Sequence, residues 1–209
     1  MTRAGLGQSG GAGTGRWPRP AGISLTELVV AAGIVCTLAA LSMAPLLASR
    51  EPLRAAAAGR YLASVFQAAR LNAVQRGRSV GIRFDRDRDG YGWMVYADGN
   101  DNGIRIADIT SGIDAPLEAR RSLPSLVAGV DLGSLPGVPQ VDSSIAVGDD
   151  PIRFGSSDLL SFSPDGTSSS GTVYVVGRGG HAWAVRVLGA TARIRLSRYD
   201  SLLRTWVAP

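Results

Sequence analysis

Apolar residues run almost unbroken from Ile23 to about Ala48, and from Ile23 to Ala44 the only ionisable side chains are Glu27 and Cys36. At about 1.5 Å per residue, a helix of that length crosses a hydrocarbon layer of roughly 30 Å, so the pattern predicts a membrane span over 23–48. Pro45 and Pro52 each lack a backbone donor and bias the preceding residue away from helix, which predicts a kink or break around 45–52. Beyond Pro52 the pattern turns amphipathic. Ala58, Leu62, Val65, Ala69 and Ala73 recur at three- and four-residue spacing with Phe66 alongside, while Arg54, Gln67, Arg70 and Gln75 lie off the stripe. Gly77, after Arg76, suits a helix C-terminus. A second helix within 49–78 is therefore expected to pack on the domain that follows it.

From Val80 the period changes to two. Val80–Phe84, Trp93–Tyr96, Thr172–Val176, Ala182–Val187 and Ala192–Leu196 alternate as strands do. Turn-forming clusters separate them at Asp85–Gly92, Asp98–Gly103, Ser163–Gly171 and Gly177–Gly180. Residues 107–151 carry Gly, Pro, Ser and Asp throughout, and read as an irregular excursion between two antiparallel sheets with one or two short strands. No internal repeat is present. The fold class expected is α+β: a long N-terminal helix, first lipid-embedded and then amphipathic, packed on antiparallel β-sheets.

Glu27 is the exception in the apolar run. A carboxylate at a bilayer centre costs on the order of 2.5–3.5 kcal/mol, less near an interface. Ser24-x-x-Glu27 fits a capping box, in which Glu27 reaches back to the Ser24 N–H. The other reading gives Glu27 a cationic partner inside the membrane. Before the run, residues 1–22 are rich in Gly, Ser and Pro, hold Arg3, Arg16 and Arg19, and contain no acid. They read as a targeting leader.

Gly22 followed by Ile-Ser-Leu-Thr-Glu resembles the prepilin processing motif of type IV pilins and type II secretion pseudopilins, usually Gly-Phe-Thr-Leu-Ile-Glu. The resemblance implies cleavage between Gly22 and Ile23 by a prepilin peptidase, N-methylation of Ile23, and a meeting of Glu27 with the amino terminus of a neighbouring subunit. Ile23 departs from the commoner Phe. The implied organisation is a leader over 1–22, a transmembrane polymerisation helix over 23–48, an amphipathic helix over 49–78 and a periplasmic β-rich domain over 79–209. Arg50, Arg54 and Arg60 follow the span as closely as the leader arginines precede it, so the charge rule comes near a tie. The resemblance favours a cytoplasmic N-terminus and a single pass through the bacterial inner membrane. Ala39–Ala44 imitates a small-x-small cleavage site, which leaves secretion with loss of the span as an alternative.

Further features resemble the secretion pseudopilin H and FimT branch. They are Phe66–Arg78 at the helix end, Trp93 followed by Asp98-Gly-Asn-Asp-Asn-Gly, Phe162-Ser-Pro-Asp-Gly-Thr, and Arg193-Ile-Arg near the C-terminus. This implies a minor pseudopilin at or near the tip of a periplasmic fibre, with other pilins or pseudopilins and the inner-membrane assembly platform as partners. A FimT-like minor pilin that contacts DNA through Arg193, Arg195 and Arg198 is the alternative.

Composition narrows the chemistry. The chain has 209 residues and a net charge of +5, and all 22 basic residues are arginine. Lysine is absent, so a phosphate-cradling glycine loop ending in lysine is excluded. The single cysteine excludes an intrachain disulfide, and the single histidine, His181, excludes a histidine-based metal cluster. Asp85/Asp87/Asp89 and Asp98/Asn100/Asn102 match the first half of a calcium loop. The twelfth positions, however, are Tyr96 and Ile109 rather than a bidentate Glu, so both are expected to be turns and no cofactor is expected. No Gly-x-Ser-x-Gly elbow suggests an esterase-like triad, and no enzymatic activity is expected. Arg186, Arg193, Arg195, Arg198 and Arg204 cluster near the C-terminus against Asp200 alone. Their alternatives are a phosphate-tracking face and a solvated edge strand.

Overall fold

The computed structural model describes residue 22 and residues 24–48 and 50–209, with side chains omitted over 41–48. The leader assignment and Ile23 therefore lie outside the described residues, apart from Gly22. The chain divides into two compact units, Met1–Ala44 and Pro45–Pro209. Helix α1 spans Leu25–Ala48 and helix α2 spans Arg50–Arg76, so the helix boundary falls inside the 45–52 window. Pro45 is carried within α1, while Pro52 sits in the first turn of α2, where an absent N–H breaks no helical bond.

The second unit is built around α2. Ala55, Ala56, Ala58, Gly59, Leu62, Phe66, Ala69 and Ala73 form its buried face. Val65, expected in that stripe, is only half-buried, because the face turns toward Phe66. Small residues at 55–59 let the helix approach the sheet closely. A Cβ on Gly59 would stand 3.1 Å from Leu196 Cδ1 and 3.4 Å from Trp183 Cβ. The helix ends as the glycine predicts. Gly77 has φ +64°, Gly77 N–H donates to Val74 O, and Arg78 N–H donates to Ala73 O.

Two antiparallel sheets follow. The strands are β1 (Val80–Asp87), β2 (Gly90–Ala97), β3 (Ala115–Pro116), β4 (Val130–Leu132), β5 (Ile152–Arg153), β6 (Leu159–Phe162), β7 (Gly171–Gly177), β8 (His181–Leu188), β9 (Arg193–Asp200) and β10 (Thr205–Val207). The first sheet has the order β3-β2-β1-β6; the second has β10-β9-β8-β7-β4, with β5 also on β7. Every expected strand forms. The Asp85–Gly92 turn is shorter than its composition suggests, since Asp87 pairs with Gly90 and leaves only Arg88 and Asp89 to turn. The 107–151 excursion holds more order than expected: helices α3 (Ile106–Ser111) and α4 (Leu123–Leu126), with β3 in the first sheet and β4 in the second. It thus carries the chain between the sheets.

The core lies between α2 and both sheets, with Leu62, Phe66, Ile82, Trp93, Leu160, Phe162, Val173 and Val185 almost fully buried. Each such large side chain contributes on the order of 1.5–3 kcal/mol by leaving water. A smaller cluster on the other face of the second sheet joins Tyr174, Ala184 and Val147 with Val141 and Trp206. Residues 138–148 fold over that face. Trp206 Nε1–H donates to Pro139 O at 2.7 Å, Val141 N–H donates to Tyr174 Oη at 3.1 Å, and Arg186 pairs with Asp142.

Candidate functional site

The N-terminal features gather on α1. Every described side chain from Leu25 to Ala40 is exposed, including Leu25, Leu28, Val29, Val30, Ile34, Val35 and Leu38. These residues face all sides of the helix, so an apolar solvent or a set of partner helices is what they suit. Among the described residues no helix is long and apolar enough to cross a membrane; the expected 23–48 span includes Ile23 and the 41–48 side chains, which lie outside the described residues. Gly22 is exposed, and among the described residues nothing lies within 4 Å of a Cβ added there, so their packing does not demand glycine.

Glu27 occupies the first turn of α1 and is exposed beside Thr26, Val30 and Ile34. The capping-box geometry does not form in full, because the Ser24 hydroxyl bonds Thr26 Oγ1 at 2.7 Å. The Ser24 carbonyl still accepts the first helical bond, from Leu28 N–H at 3.1 Å. A carboxylate at a helix N-terminus is favoured by the helix dipole, and this position leaves it free to face a cation on another chain.

The two calcium-like loops are occupied by other partners. Arg120 Nε lies 2.8 Å from Asp85 Oδ1 and Arg120 Nη1 lies 3.0 Å from Asp87 Oδ2, while Asp87 Oδ1 accepts Asp89 N–H at 2.8 Å. In the second loop, buried Asp98 accepts Asn100 N–H at 3.1 Å through Oδ1 and Gly103 N–H at 2.7 Å through Oδ2. Buried Asp114 ties the same loop down, accepting from Gly99 N–H and Arg105 N–H. These carboxylates organise turns, and a guanidinium in the first loop opposes a divalent cation.

The arginine group divides. β8 and β9 pair without a bulge from Trp183↔Arg198 to Leu188↔Arg193, so side chains alternate strictly along β9. Arg193 and Arg195 share one exposed face, and Arg198 stands on the opposite one. The expected three-arginine contact is therefore split by strand geometry. Arg186, cross-strand from Arg195, is already paired with Asp142. β10 pairs only with Arg198–Asp200, leaving Arg193–Ser197 along an edge among the described residues. His181 is the half-buried first residue of β8, paired across the turn with Gly177.

Three features escaped the sequence reading. Arg120 reaches across thirty-five residues to Asp85, a separation no local motif reveals. A groove of about 380 Å³ lies along α2, lined by Tyr61, Val65, Trp93, Leu117 and Arg121 among others. Within it Arg121 donates to Tyr61 Oη at 2.7 Å and pairs with Glu118 at 2.9 Å. The β9–β10 hairpin leaves Leu202 and Leu203 in solvent; a Leu-Leu pair between two strands is a visible but unspecific signal.

A family model described as type II transport protein GspH matches residues 58–192. The match covers most of α2 and the strands through β8. It stops short of β9 and excludes Gly22–Glu27, so the processing motif stands as a separate observation. The crystal structure of the minor pseudopilin EpsH from the type II secretion system of Vibrio cholerae is similar over 68% of this chain and 92% of that one, at 15% identity and a TM-score of 0.41. No curated protein matches the chain.

Proposed function

The chain belongs to the family of type II transport protein GspH, and from that premise we propose that it is a minor pseudopilin co-assembling at or near the tip of a short periplasmic fibre. Its role is structural. A prepilin peptidase would cut between Gly22 and Ile23, N-methylation of Ile23 would follow, and α1 would hold the subunit in the inner membrane until assembly. Other pseudopilins and the inner-membrane platform are the partners this reading requires.

The observation that carries it is α1: apolar side chains exposed all round, with Glu27 in the first turn. Such a helix gains most by exchanging lipid for other apolar helices. Glu27 then meets a neighbour's N-terminal amine. A buried pair of this kind adds little net stability, but a single permitted partner fixes the register of subunits. DNA contact remains a second reading, supported by the exposed Arg193 and Arg195 alone.

Intact-mass measurement of the membrane-extracted protein tests the central claim. The expected mass is that of a chain starting at Ile23 with one added methyl group. A chain that keeps residues 1–22, or that has lost α1, overturns it.

A further inference from the structure

Leu202 and Leu203 are the most conspicuous apolar exposure in the second unit, at 93% and 67%. They are held there by construction. Asp200 Oδ1 accepts Leu202 N–H at 2.9 Å and Leu203 N–H at 3.1 Å, which shapes the turn. Arg204 closes it with φ +51°. The strand that returns is rooted by Trp206, whose ring lies 5.3 Å from Tyr199 and 5.5 Å from Tyr174 and whose indole N–H is bonded to Pro139 O. The final strand therefore presents two leucines on a supported turn.

The position of this turn follows from strand register. Arg198 pairs with Trp183 near the start of β8, and His181 pairs with Gly177. A Cβ on Gly177 would stand 2.9 Å from Ala55 Cβ, in the first turns of α2. The tip thus lies at the end of the sheet from which α2 starts, and α2 starts two residues after α1 ends. Arg50, Arg178, Arg198 and Arg204 are exposed around this end; two acids lie among them, Asp200 at 3.8 Å from Arg198 and Glu51 at 3.0 Å from Arg54.

We propose that the β9–β10 tip is a lipid-surface contact, in which Leu202 and Leu203 enter the headgroup boundary while Arg198 and Arg204 meet anionic headgroups. The inference rests on the reading of α1 as membrane-embedded. An apolar wedge ringed by arginine has the chemistry of an interfacial anchor. Two leucines on one turn are too small an area for a stable protein interface, which needs roughly 1,000 Å². A weak lipid contact would orient the subunit on the bilayer and be given up when it leaves for the fibre.

The test uses the mature full-length chain in vesicles of phosphatidylcholine and phosphatidylglycerol. In a Cys36→Ser background, Leu202→Cys carries an environment-sensitive fluorophore, and Ile145→Cys serves as a reference at another exposed apolar site. The expected result is a blue shift and loss of iodide quenching at 202 but not at 145. Both should reverse in phosphatidylcholine alone, with Arg198→Gln/Arg204→Gln, and with Leu203→Glu. If the chain resists alkaline carbonate extraction while position 202 stays fully quenched, the lipid contact is wrong and the membrane reading stands. If carbonate extracts the chain, both fall. A blue shift that disappears on dilution with excess lipid identifies a second copy as the occupant, which also overturns the proposal.

Discussion

The rings of Phe84 and Phe154 lie parallel, their centroids 6.0 Å apart and their planes within 5°. Phe84 belongs to β1 of the first sheet, and Phe154 directly follows β5 of the second. Phe66 of α2 meets both edge-on, at 6.2 and 6.3 Å. One helical side chain thus joins the two sheets. Phe66→Ala should lower unfolding stability by about 3–5 kcal/mol, measured by urea denaturation. A loss below about 1 kcal/mol would mean that the sheets hold together without the helix.

Gly59 makes a complementary prediction. Its Cβ position is already bounded by Leu196 and Trp183, so the branched side chain of Gly59→Val has to displace Leu196 or the helix itself. A loss on the order of 1–3 kcal/mol is expected in the same assay. Unchanged stability would show that this displacement costs nothing.

Gly22→Val should leave the fold intact, since none of the described residues lies near the added side chain. Failure of processing in that variant would then report the peptidase's requirement. Full-length precursor is expected in the membrane fraction by mass spectrometry. Accumulation of mature protein of unchanged mass would place the cut elsewhere.

Glu27→Ala removes the only carboxylate on α1. Membrane association and processing should survive, and incorporation into the fibre, read by cross-linking or by shearing fibres from cells, should be lost. Normal incorporation would remove the assembly role.

The two arginines on the exposed face of β9 separate assembly from nucleic-acid binding. Replacing Arg193 and Arg195 with Gln should change stability by less than about 0.5 kcal/mol, because neither is buried. If they contact phosphates, duplex DNA binding should weaken and its salt slope flatten. If they only solvate an edge, binding is undetectable at physiological salt for both proteins.

Acid should loosen the C-terminal turn once Asp200 is protonated. The Leu203 and Leu202 N–H groups hold the Asp200 carboxyl below its ordinary range, as the Thr167 backbone and hydroxyl do for Asp165. A depressed folded value means that the contribution is present above the ordinary carboxylate range and lost as pH falls through the folded value. Burial raises Asp131 and Asp158 instead, so their ionised forms cost stability near neutrality and that cost is relieved on acidification. Protection of the Leu202 and Leu203 amides, taken relative to intrinsic exchange at each pH, should therefore fall as pH drops below the ordinary carboxylate range, while the core stays protected. Asp200→Asn should show raised exchange at neutral pH and a weaker acid response.

Local pattern alone determined a good deal here. The apolar run, the Gly22–Glu27 motif, the Gly77 stop and the five alternating segments each depend on neighbours a few residues apart, where helix and strand periods are written. The same reading found the long strands of both sheets and allowed for short ones within 107–151, but left out β5, β6, β10 and the short helices α3 and α4. Segments of two to six residues carry too little period to register, and only packing makes them regular. The tertiary structure alone decided that Arg198 parts from Arg193 and Arg195, because side-chain facing depends on an unbroken β8–β9 register. It also decided that Arg120 claims Asp85 and Asp87, and that Trp206 anchors to Pro139 across sixty-seven residues. Such partners meet only when the chain closes long loops to bury its core, and nothing in the adjacent sequence records which will be brought together.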